Sequence, residues 1–419
     1  MTDLKKNVPE LRFPEFEGEW EEKKISDSIK ILKSGLSREL SANDIGLPVI
    51  RANNLQDYRL VLDDVKYWYK EDPQGANTAK YLLEKNDILI NFINSESKMG
   101  TSCILTDDCE RESIYTTNIL RYVTKENFDS YFHFIYTQTY EYRKWIKIIT
   151  KPAVNQASFT TVDFKKIPYH VPEIKEQQKI GDFFSKLDRQ IELEEQKLVL
   201  LEEQKKGYMQ KIFSQELRFK DDNGNDYPEW EEKKLKEIGE ISSGVGFPEK
   251  YQGGKIGIPF FKVSDMNLPS NQFIMKKANN YVNNQLIVEN KWKVITNVPA
   301  VIFAKVGAAI MLNRKRIVME PFLIDNNSMS YSFSMRHWDA KFGNVYFQTL
   351  NLPKYAQVGA LPSYNSKDIG SIIVNLPTLR EQTEIGEFFN KFTKLIEKQS
   401  RKVELLKQRK KGLLQKMFV

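Results

Sequence analysis

Two short stretches of the chain carry side chains suited to reading the edges of nucleic-acid bases. The first holds Arg51, Asn53 and Asn54, and the second, at an offset of 211 residues, holds Lys262 and Ser264. Arginine and lysine hydrogen-bond to guanine, and asparagine to adenine. We therefore expect these residues to contact bases. The simpler alternative is that they form turns or solvated contacts.

A pair of glycine loops supplies candidate phosphate contacts. Each loop follows an apolar segment, 87–91 or 300–304, that predicts a buried strand. Glycine permits close approach of the backbone, and a neighbouring lysine suits a phosphate. The candidate residues of these loops are Lys98, Gly100, Lys305 and Gly307. The glycines lie 207 residues apart, so the loop is interpreted as a repeated feature, followed by another strand at 102–105 or 309–312.

Two further polar stretches lie just ahead of two long helical patterns. Polar side chains at such a position have the same two interpretations, a contact with DNA or a solvated turn. The candidate residues are Asn155, Gln156, Tyr364 and Asn365.

The helical patterns themselves are typical of a coiled coil. From Ile180, apolar residues recur at alternating steps of four and three for nearly five heptads, and the same pattern restarts at Ile385. The polar members of this seam are Glu194, Lys205, Gln399 and Lys410. Each helix most simply pairs with the other, and an internal repeat favours antiparallel pairing. The alternative is an amphipathic helix lying on its own domain.

An antiparallel register fixes which side chains meet. In the symmetric register, the numbers of facing residues sum to 597, so Glu194 faces Val403 and Lys205 faces Phe392. Polar residues in such a seam specify register at some cost in stability. We expect the paired helices to form a rigid rod that separates two globular domains.

The rest of the chain repeats as well. Glu-Trp-Glu-Glu-Lys-Lys occurs at 19–24 and 229–234, and Leu-Arg-Phe occurs at 11–13 and 217–219. Each helical pattern opens with Glu-Gln, Ile-Gly and Phe-Phe pairs at an offset of 205 and ends with Lys-Lys-Gly. A unit of about half the chain therefore occurs twice, each time as a globular mixed α/β stretch followed by a long helix.

Composition narrows the class of protein. At 419 residues and 41% hydrophobic content, the chain can bury two or three cores. No apolar run approaches the ~18 residues of a membrane span, and the N-terminus lacks a signal-peptide core. Cys103 and Cys109 are the only cysteines, which fits a reducing cytoplasm. The net charge of +7 lies mostly in 378–419, which carries +6, and is compatible with DNA without requiring it.

Recognisable catalytic motifs are missing. His133, His170 and His337 form no ligand-spaced cluster with each other or with the cysteines, so we predict no metal site. The sequence has neither a G-x-x-x-x-G-K-[ST] loop nor G-x-G-x-x-G, nor the Asn/Asp-Pro-Pro-aromatic run of amino-methyltransferases. The sequence therefore predicts a recognition scaffold that has no catalytic activity of its own.

The duplicated motifs resemble those of the specificity subunits of type I restriction–modification enzymes, along the full length of the chain. The resemblance rests on the Leu-Arg-Phe and Glu-Trp-Glu-Glu-Lys-Lys pairs, the helix starts at 172–181 and 377–386, and the Lys-Lys-Gly endings at 205–207 and 410–412. No single motif would suffice, but their duplicated order is specific.

This resemblance implies an α+β fold class with a pseudo-two-fold internal repeat. Two α/β target-recognition domains, 1–172 and 216–376, would be separated by a pair of long antiparallel coiled-coil helices, 173–215 and 377–419. Each domain would read one half of a split, asymmetric site in double-stranded DNA.

The resemblance also implies partners. Two modification subunits would dock on the helices, carry S-adenosylmethionine and methylate adenine. Restriction subunits would add translocation driven by ATP and Mg²⁺, and cleavage. No catalytic site, cofactor or membrane partner is expected for this chain. Two alternatives stay open: a coiled-coil structural adaptor that binds partner proteins without DNA, and a stand-alone nuclease with an unrecognised site.

Overall fold

The structure, a computed structural model, describes residues 7–106, 111–153, 155–357 and 361–419. The chain forms two compact units. Residues 1–196 and 401–419 make up the first unit, and residues 197–400 make up the second. Cys103 is buried in the first unit, whereas Cys109 lies outside the described residues. Among the described residues, none of the helices is long and apolar enough to cross a membrane.

The first unit contains short strands and a few helices. Its strands are β1 (Glu21–Lys24), β2 (Ile29–Ser34), β3 (Leu47–Ile50), β4 (Leu55–Gln56), β5 (Arg59–Leu60), β6 (Lys66–Trp68), β7 (Ile88–Asn91), β8 (Ile93–Asn94), β9 (Ser102–Ile104), β10 (Ile114–Tyr115), β11 (Ile119–Thr124), β12 (Ala157–Ser158) and β13 (Pro168–Val171). Its helices are α1 (Ile25–Ser28), α2 (Ser130–Tyr136), α3 (Tyr140–Ile149), α4 (Thr161–Lys165) and the first part of α5 (Ile174–Phe213).

The second unit has the same kinds of element. Its strands are β14 (Glu231–Lys234), β15 (Gly239–Ser243), β16 (Ile258–Phe261), β17 (Tyr281–Val282), β18 (Ala300–Ala304), β19 (Lys315–Val318), β20 (Leu323–Ile324), β21 (Ser328–Phe333) and β22 (Ile373–Leu376). Its helices are α6 (Leu235–Ile238), α7 (Asn284–Glu289), α8 (Ala340–Thr349), α9 (Ser366–Gly370) and the first part of α10 (Leu379–Met417). The last part of α5 also lies in the second unit, and the last part of α10 lies in the first.

Both units are built on one sheet topology. An antiparallel sheet runs β2-β11-β7-β9 in the first unit and β15-β21-β18-β19 in the second. A second sheet joins β3 to β10 in parallel and to β6 antiparallel, and β16 to β20 and β17 likewise. The pairs β1–β13 and β14–β22 also match. The internal repeat is therefore a duplication of the complete fold.

The central strands confirm most of the expected core. Every residue of β7 and β18 is buried, as an unbroken apolar run predicts. The strand predicted at 102–105 is confirmed as β9. The strand predicted at 309–312 is wrong, because Ala308–Leu312 form a 3₁₀ turn and the chain enters a strand only at Lys315. Of that turn, Ile310 alone is buried.

The long helices run antiparallel within each unit. In the first unit, the Lys410 ammonium lies 2.6 Å from Asp188 Oδ1. In the second, Lys205 Nζ donates to Thr393 Oγ1 at 3.0 Å. Both pairs sum to 598, so the predicted antiparallel register is confirmed to within one residue. Glu194 pairs with Lys402, a sum of 596, so the three pairs lie on both sides of the predicted 597.

The last residues of α10 and those that follow it complete the first unit. Phe418 packs edge-on against Trp20, with ring centroids 5.9 Å apart, and stacks on Phe132 at 5.2 Å. Phe213, 205 residues earlier, takes the same place against Trp230 in the second unit at 6.2 Å. Each core therefore receives the same aromatic side chain from the end of a long helix.

The duplicated motifs meet around a buried carboxylate. Arg12 donates from Nε and Nη2 to the two oxygens of Glu176 at 2.8 and 2.7 Å, and Trp20 Nε1 reaches the same carboxylate at 3.4 Å. Arg218 and Glu381 form the equivalent pair at 3.3 Å. A bidentate arginine–carboxylate pair fixes geometry as well as charge. These motifs therefore attach the segment ahead of each α/β fold to the start of its long helix.

Candidate nucleic-acid interface

The strand register shows how the two glycine loops correspond. Ile88 pairs with Ile104 across β7 and β9, and Val301 pairs with Ile317 across β18 and β19. The two hairpins therefore match at an offset of 213, and their connections have equal length. The predicted repeat of the glycine loop at an offset of 207 is wrong in register.

In the corrected register, Gly100 corresponds to Asn313. Both take the left-handed conformation, with φ of 67° and 48°. Gly100 is buried, and a Cβ there would lie 2.7 Å from the Ile146 side chain, so the fold itself requires this glycine. Gly307 also has a positive φ, of 82°, but nothing lies within 4 Å of its Cβ position.

The two loop lysines occupy different places. Lys98 lies on an exposed 3₁₀ turn and corresponds to Met311 of the second unit. Lys305 is half-buried, and its Nζ lies 3.5 Å from Ser243 Oγ. Both stay predicted phosphate contacts, but they are not equivalent residues.

Backbone pairing brings the stretches ahead of the long helices beside these loops. Ser158 pairs with Ile93 in the first unit, and Ser363 pairs with Val306 in the second. This juxtaposition of segments distant in sequence places one polar stretch next to each loop. Asn155 and Gln156, just ahead of Ser158, are exposed.

The two candidate residues of the second unit, Tyr364 and Asn365, have structural roles. Tyr364 is 3% exposed, its ring lies 6.1 Å from that of Phe303, and burial raises the pKa of its hydroxyl. Asn365 Oδ1 accepts hydrogen bonds from the backbone of Lys367 and Asp368 at 2.8 and 3.1 Å, which caps α9. Packing and capping account for these two side chains without a ligand.

The predicted base-reading stretches are equivalent in structure. Arg51 N donates to Asn54 Oδ1 at 2.9 Å, and Lys262 N donates to Asp265 Oδ2 at 2.8 Å. Asn54 and Asp265 are buried, so each holds the turn that follows the strand. Ser264 is exposed on that turn.

The cationic side chains of these stretches form hydrogen bonds with polar side chains nearby. Arg51 Nη2 donates to Asp64 Oδ2 at 2.7 Å, and Asn53 Nδ2 donates to the same oxygen at 3.3 Å. Lys262 Nζ donates to Gln252 Oε1 at 2.7 Å. The Asp64 side chain is largely exposed, and such ion pairs are worth about 0–1 kcal/mol, so a DNA group can replace the carboxylate at small cost.

Arginine side chains join the two loops of each unit. In the first, Arg143 donates to Tyr58 Oη at 2.7 Å and to the backbone oxygen of Met99 at 3.1 Å, linking the β4–β5 turn to the glycine loop. In the second, Arg314 donates to Asn267. Sequence analysis missed these residues because their partners lie 44 to 85 residues away in the first unit and 47 in the second.

The arrangement suits hydrogen bonding and electrostatic recognition. Among the residues that the structure describes, no three His, Cys, Asp or Glu side chains come together as a metal site requires. The duplicated fold and its paired loops define a class of protein, a chain that carries two copies of one mixed α/β domain.

Comparison with known proteins identifies the family. The sequence model described as type I restriction modification DNA specificity domain matches residues 17–203 and 227–407. This chain therefore belongs to the type I restriction–modification DNA specificity family.

Relatives in Methanocaldococcus jannaschii match nearly end to end. The putative type I restriction enzyme MjaX specificity subunit is 25% identical over 428 residues, covering 97% of this chain and 95% of that protein. The type I restriction enzyme MjaVIII specificity subunit is 23% identical over 446 residues, covering 98% and 93%.

A solved structure shares the fold. The S subunit of a type I restriction–modification system from M. genitalium superimposes with a TM-score of 0.62, covering 98% of this chain and 99% of that one. At 14% identity, this likeness concerns the fold alone.

Proposed function

We propose that this chain reads a bipartite, asymmetric site in double-stranded DNA, with each α/β unit reading one half. Two modification subunits that carry S-adenosylmethionine bind the long helices and methylate adenine at the bound site. Restriction subunits that use ATP and Mg²⁺ cleave DNA in the same complex. The chain contributes sequence recognition, and its partners contribute the chemistry.

The observation that carries this proposal is a repeated scaffold with different loops. The same strand topology occurs in both units, and the hairpin loops have equal length and register. Their side chains differ: Glu96, Ser97 and Lys98 in the first unit correspond to Ala309, Ile310 and Met311 in the second. Sequence is read by side chains at base edges, so one scaffold with two sets of loop residues suits two different half-sites.

A domain exchange tests the proposal. The chain is expressed with its modification partner in cells lacking other adenine methylation, and the methylated motif is mapped by sequencing. Residues 15–170 are then replaced by the equivalent segment of a relative. We expect the chimaera to change one half of the motif and leave the other half and the spacer unchanged.

Two outcomes contradict the proposal. A chimaera that alters both halves shows that the units do not read independently. A wild-type complex that assembles but methylates no defined motif, and shifts no DNA in a gel, supports a protein adaptor instead. The matched control is a replacement of residues 225–375, which is expected to change the other half of the motif.

A further inference from the structure

The glycine loop of the second unit ends in an apolar tip, defined here as Met311 and Leu312. Their side chains are 65% and 58% exposed, and Leu361, beside the same loop, is 65% exposed. In the first unit the corresponding residues are Lys98, which is charged, and Met99, which is buried. Scattered exposed apolar residues need no explanation, but adjacent ones on a single turn indicate a surface that is covered in a complex.

A brace of hydrogen bonds holds the tip in place. Lys315 is 1% exposed, and its ammonium donates to Asn313 Oδ1 at 2.9 Å and to the Leu350 backbone oxygen at 2.6 Å. Asn313 in turn donates to that oxygen at 3.0 Å and accepts from Leu352 N at 3.2 Å. These bonds secure the left-handed turn directly after the tip, while Ile310 anchors it in the core. These contacts therefore hold the side chains of Met311 and Leu312 at the surface.

The surroundings of the tip indicate what covers it. Lys305 and Arg314 lie on either side of it along the chain, and Lys354 is exposed one turn beyond the residues that brace it. The equivalent loop of the first unit carries the exposed Lys98. An apolar tip flanked by cations is complementary to a DNA groove, where phosphates border the base edges.

From these observations we propose that Met311 and Leu312 contact the methyl group of a thymine in the half-site that the second unit reads. This inference rests on the proposed function and adds the chemistry of one contact to it. The 5-methyl group of thymine is the apolar group on a base-pair edge in the major groove, and apolar side chains recognise it. The second unit thus reads part of its site without a hydrogen bond, where the first unit presents a charged side chain.

The experiment compares duplexes that differ by single methyl groups. The complex of the full chain with its modification partner is titrated with a duplex carrying the mapped motif. A second series of duplexes replaces each thymine of the second half-site in turn by uracil, which removes only the methyl group. We expect wild-type affinity to fall at one position, and the double variant M311A/L312A to bind the parent duplex on the order of tenfold more weakly. We expect M311A/L312A to bind the thymine duplex and the uracil duplex with equal affinity at that position.

Control variants separate the contact from a general loss of binding. M335A removes a methionine of similar exposure that lies away from the loop. Strand β21 begins beside the loop, where Ser328 pairs with Ala304, and Met335 follows the opposite end of that strand. We expect M335A to bind as wild type. The exchange M311L/L312M keeps the tip apolar and retains the uracil effect. Binding of the variants to non-specific DNA stays unchanged.

The inference is overturned if no uracil substitution matters to the wild-type complex. It is also overturned if M311A/L312A weakens specific and non-specific binding equally, or if it reduces partner assembly while DNA affinity is unchanged. A wild-type complex with no preferred sequence overturns the proposed function and this inference together. If the wild-type complex prefers a defined sequence but M311A/L312A binds it as wild type does, only the thymine contact is refuted.

Discussion

Gly181 makes room for the helix cap formed by Asp129. A Cβ at Gly181 would lie 2.5 Å from Asp129 Oδ1, the atom that accepts a hydrogen bond from Phe132 N at 2.7 Å and caps α2. Gly207, on the same long helix, has nothing within 4 Å of its Cβ position. The second copy repeats the contrast at Gly386 and Gly412.

Alanine at these two glycines should therefore act in opposite directions. We expect G207A to stabilise the free chain by about 0.5–1 kcal/mol, because alanine is the better helix former. G181A should destabilise it, since displacing the cap costs about 1 kcal/mol and adds a steric clash. Thermal unfolding of the purified chain measures both. If G207A also weakens binding of the modification subunit, its glycine serves close approach by that partner. Equal shifts for the two variants would refute the assigned role of Gly181.

His133 makes the first unit sensitive to acid. Its Nδ1 donates to the Asp129 backbone oxygen at 2.7 Å, so Nε2 accepts from the Tyr169 hydroxyl at 2.9 Å, and burial lowers the pKa of His133 to about 4. Between pH 6.5 and 4 the unfolded chain binds a proton that the folded unit does not. Stability is therefore lost as pH falls through this window, by up to about 3 kcal/mol.

The second unit provides the control for this prediction, because Gly343 occupies the equivalent position of α8. Hydrogen exchange followed by mass spectrometry at pH 7 and pH 5 should show protection lost preferentially in β11 and α2. The variant H133Q should reduce that difference. Equal loss in both units would show that other groups control the acid response.

Lys315 is expected to cost the second unit stability at neutral pH. Burial lowers the pKa of its ammonium to about 8, below its unfolded value near 10.5. The charged form is therefore disfavoured by folding, and this penalty is full below pH 8 and fades as pH rises toward 10.5. We expect K315M to raise stability by about 1–3 kcal/mol at pH 7 and by little at pH 10.5.

The gain should be specific to the buried site. K354M, at an exposed lysine of the same unit, should leave the melting temperature unchanged. A loss of stability in K315M at pH 7 would mean that the hydrogen bonds to Asn313 and Leu350 outweigh the cost of burying the charge.

Arg51 and Lys98 should differ in their effects on DNA binding. R51A should weaken binding to the mapped motif by roughly 1–3 kcal/mol and relax the preference at one base pair. K98A should weaken binding to all sequences and lower the salt dependence of log K by about 1. Titrations at several salt concentrations against specific and random duplexes separate the two. Unchanged affinity and salt slope in both variants would leave them as solvated loop residues.

The sequence predicted those parts of the fold whose signal is long or continuous. The heptad run places the antiparallel helices and their register, because each heptad repeats the same constraint. The apolar runs of β7 and β18 predict buried strands for the same reason. The distant strand pairs, such as Ser158 with Ile93, leave no local pattern and appear only in the structure.

The candidate site was harder to predict because different residue types can take the same backbone conformation. Gly100 and Asn313 take the same left-handed conformation, whereas the matching glycines Gly100 and Gly307 occupy different places. The offset of 207 between these glycines therefore differs by six residues from the offset of 213 between the paired strands. Tyr364 has polar neighbours in sequence, but its aromatic ring fills the core position that Phe159 fills in the first unit.

The packing of Phe418 in the core of the first unit has a consequence for the order of folding. The second unit is continuous in sequence, from 197 to 400, whereas the first waits for residues 401–419. On the ribosome, the unit begun first therefore finishes last, with Trp20 and Phe132 uncovered until Phe418 emerges. The most sequence-distant contacts of the chain therefore close its earliest domain, and contacts of long sequence separation slow folding.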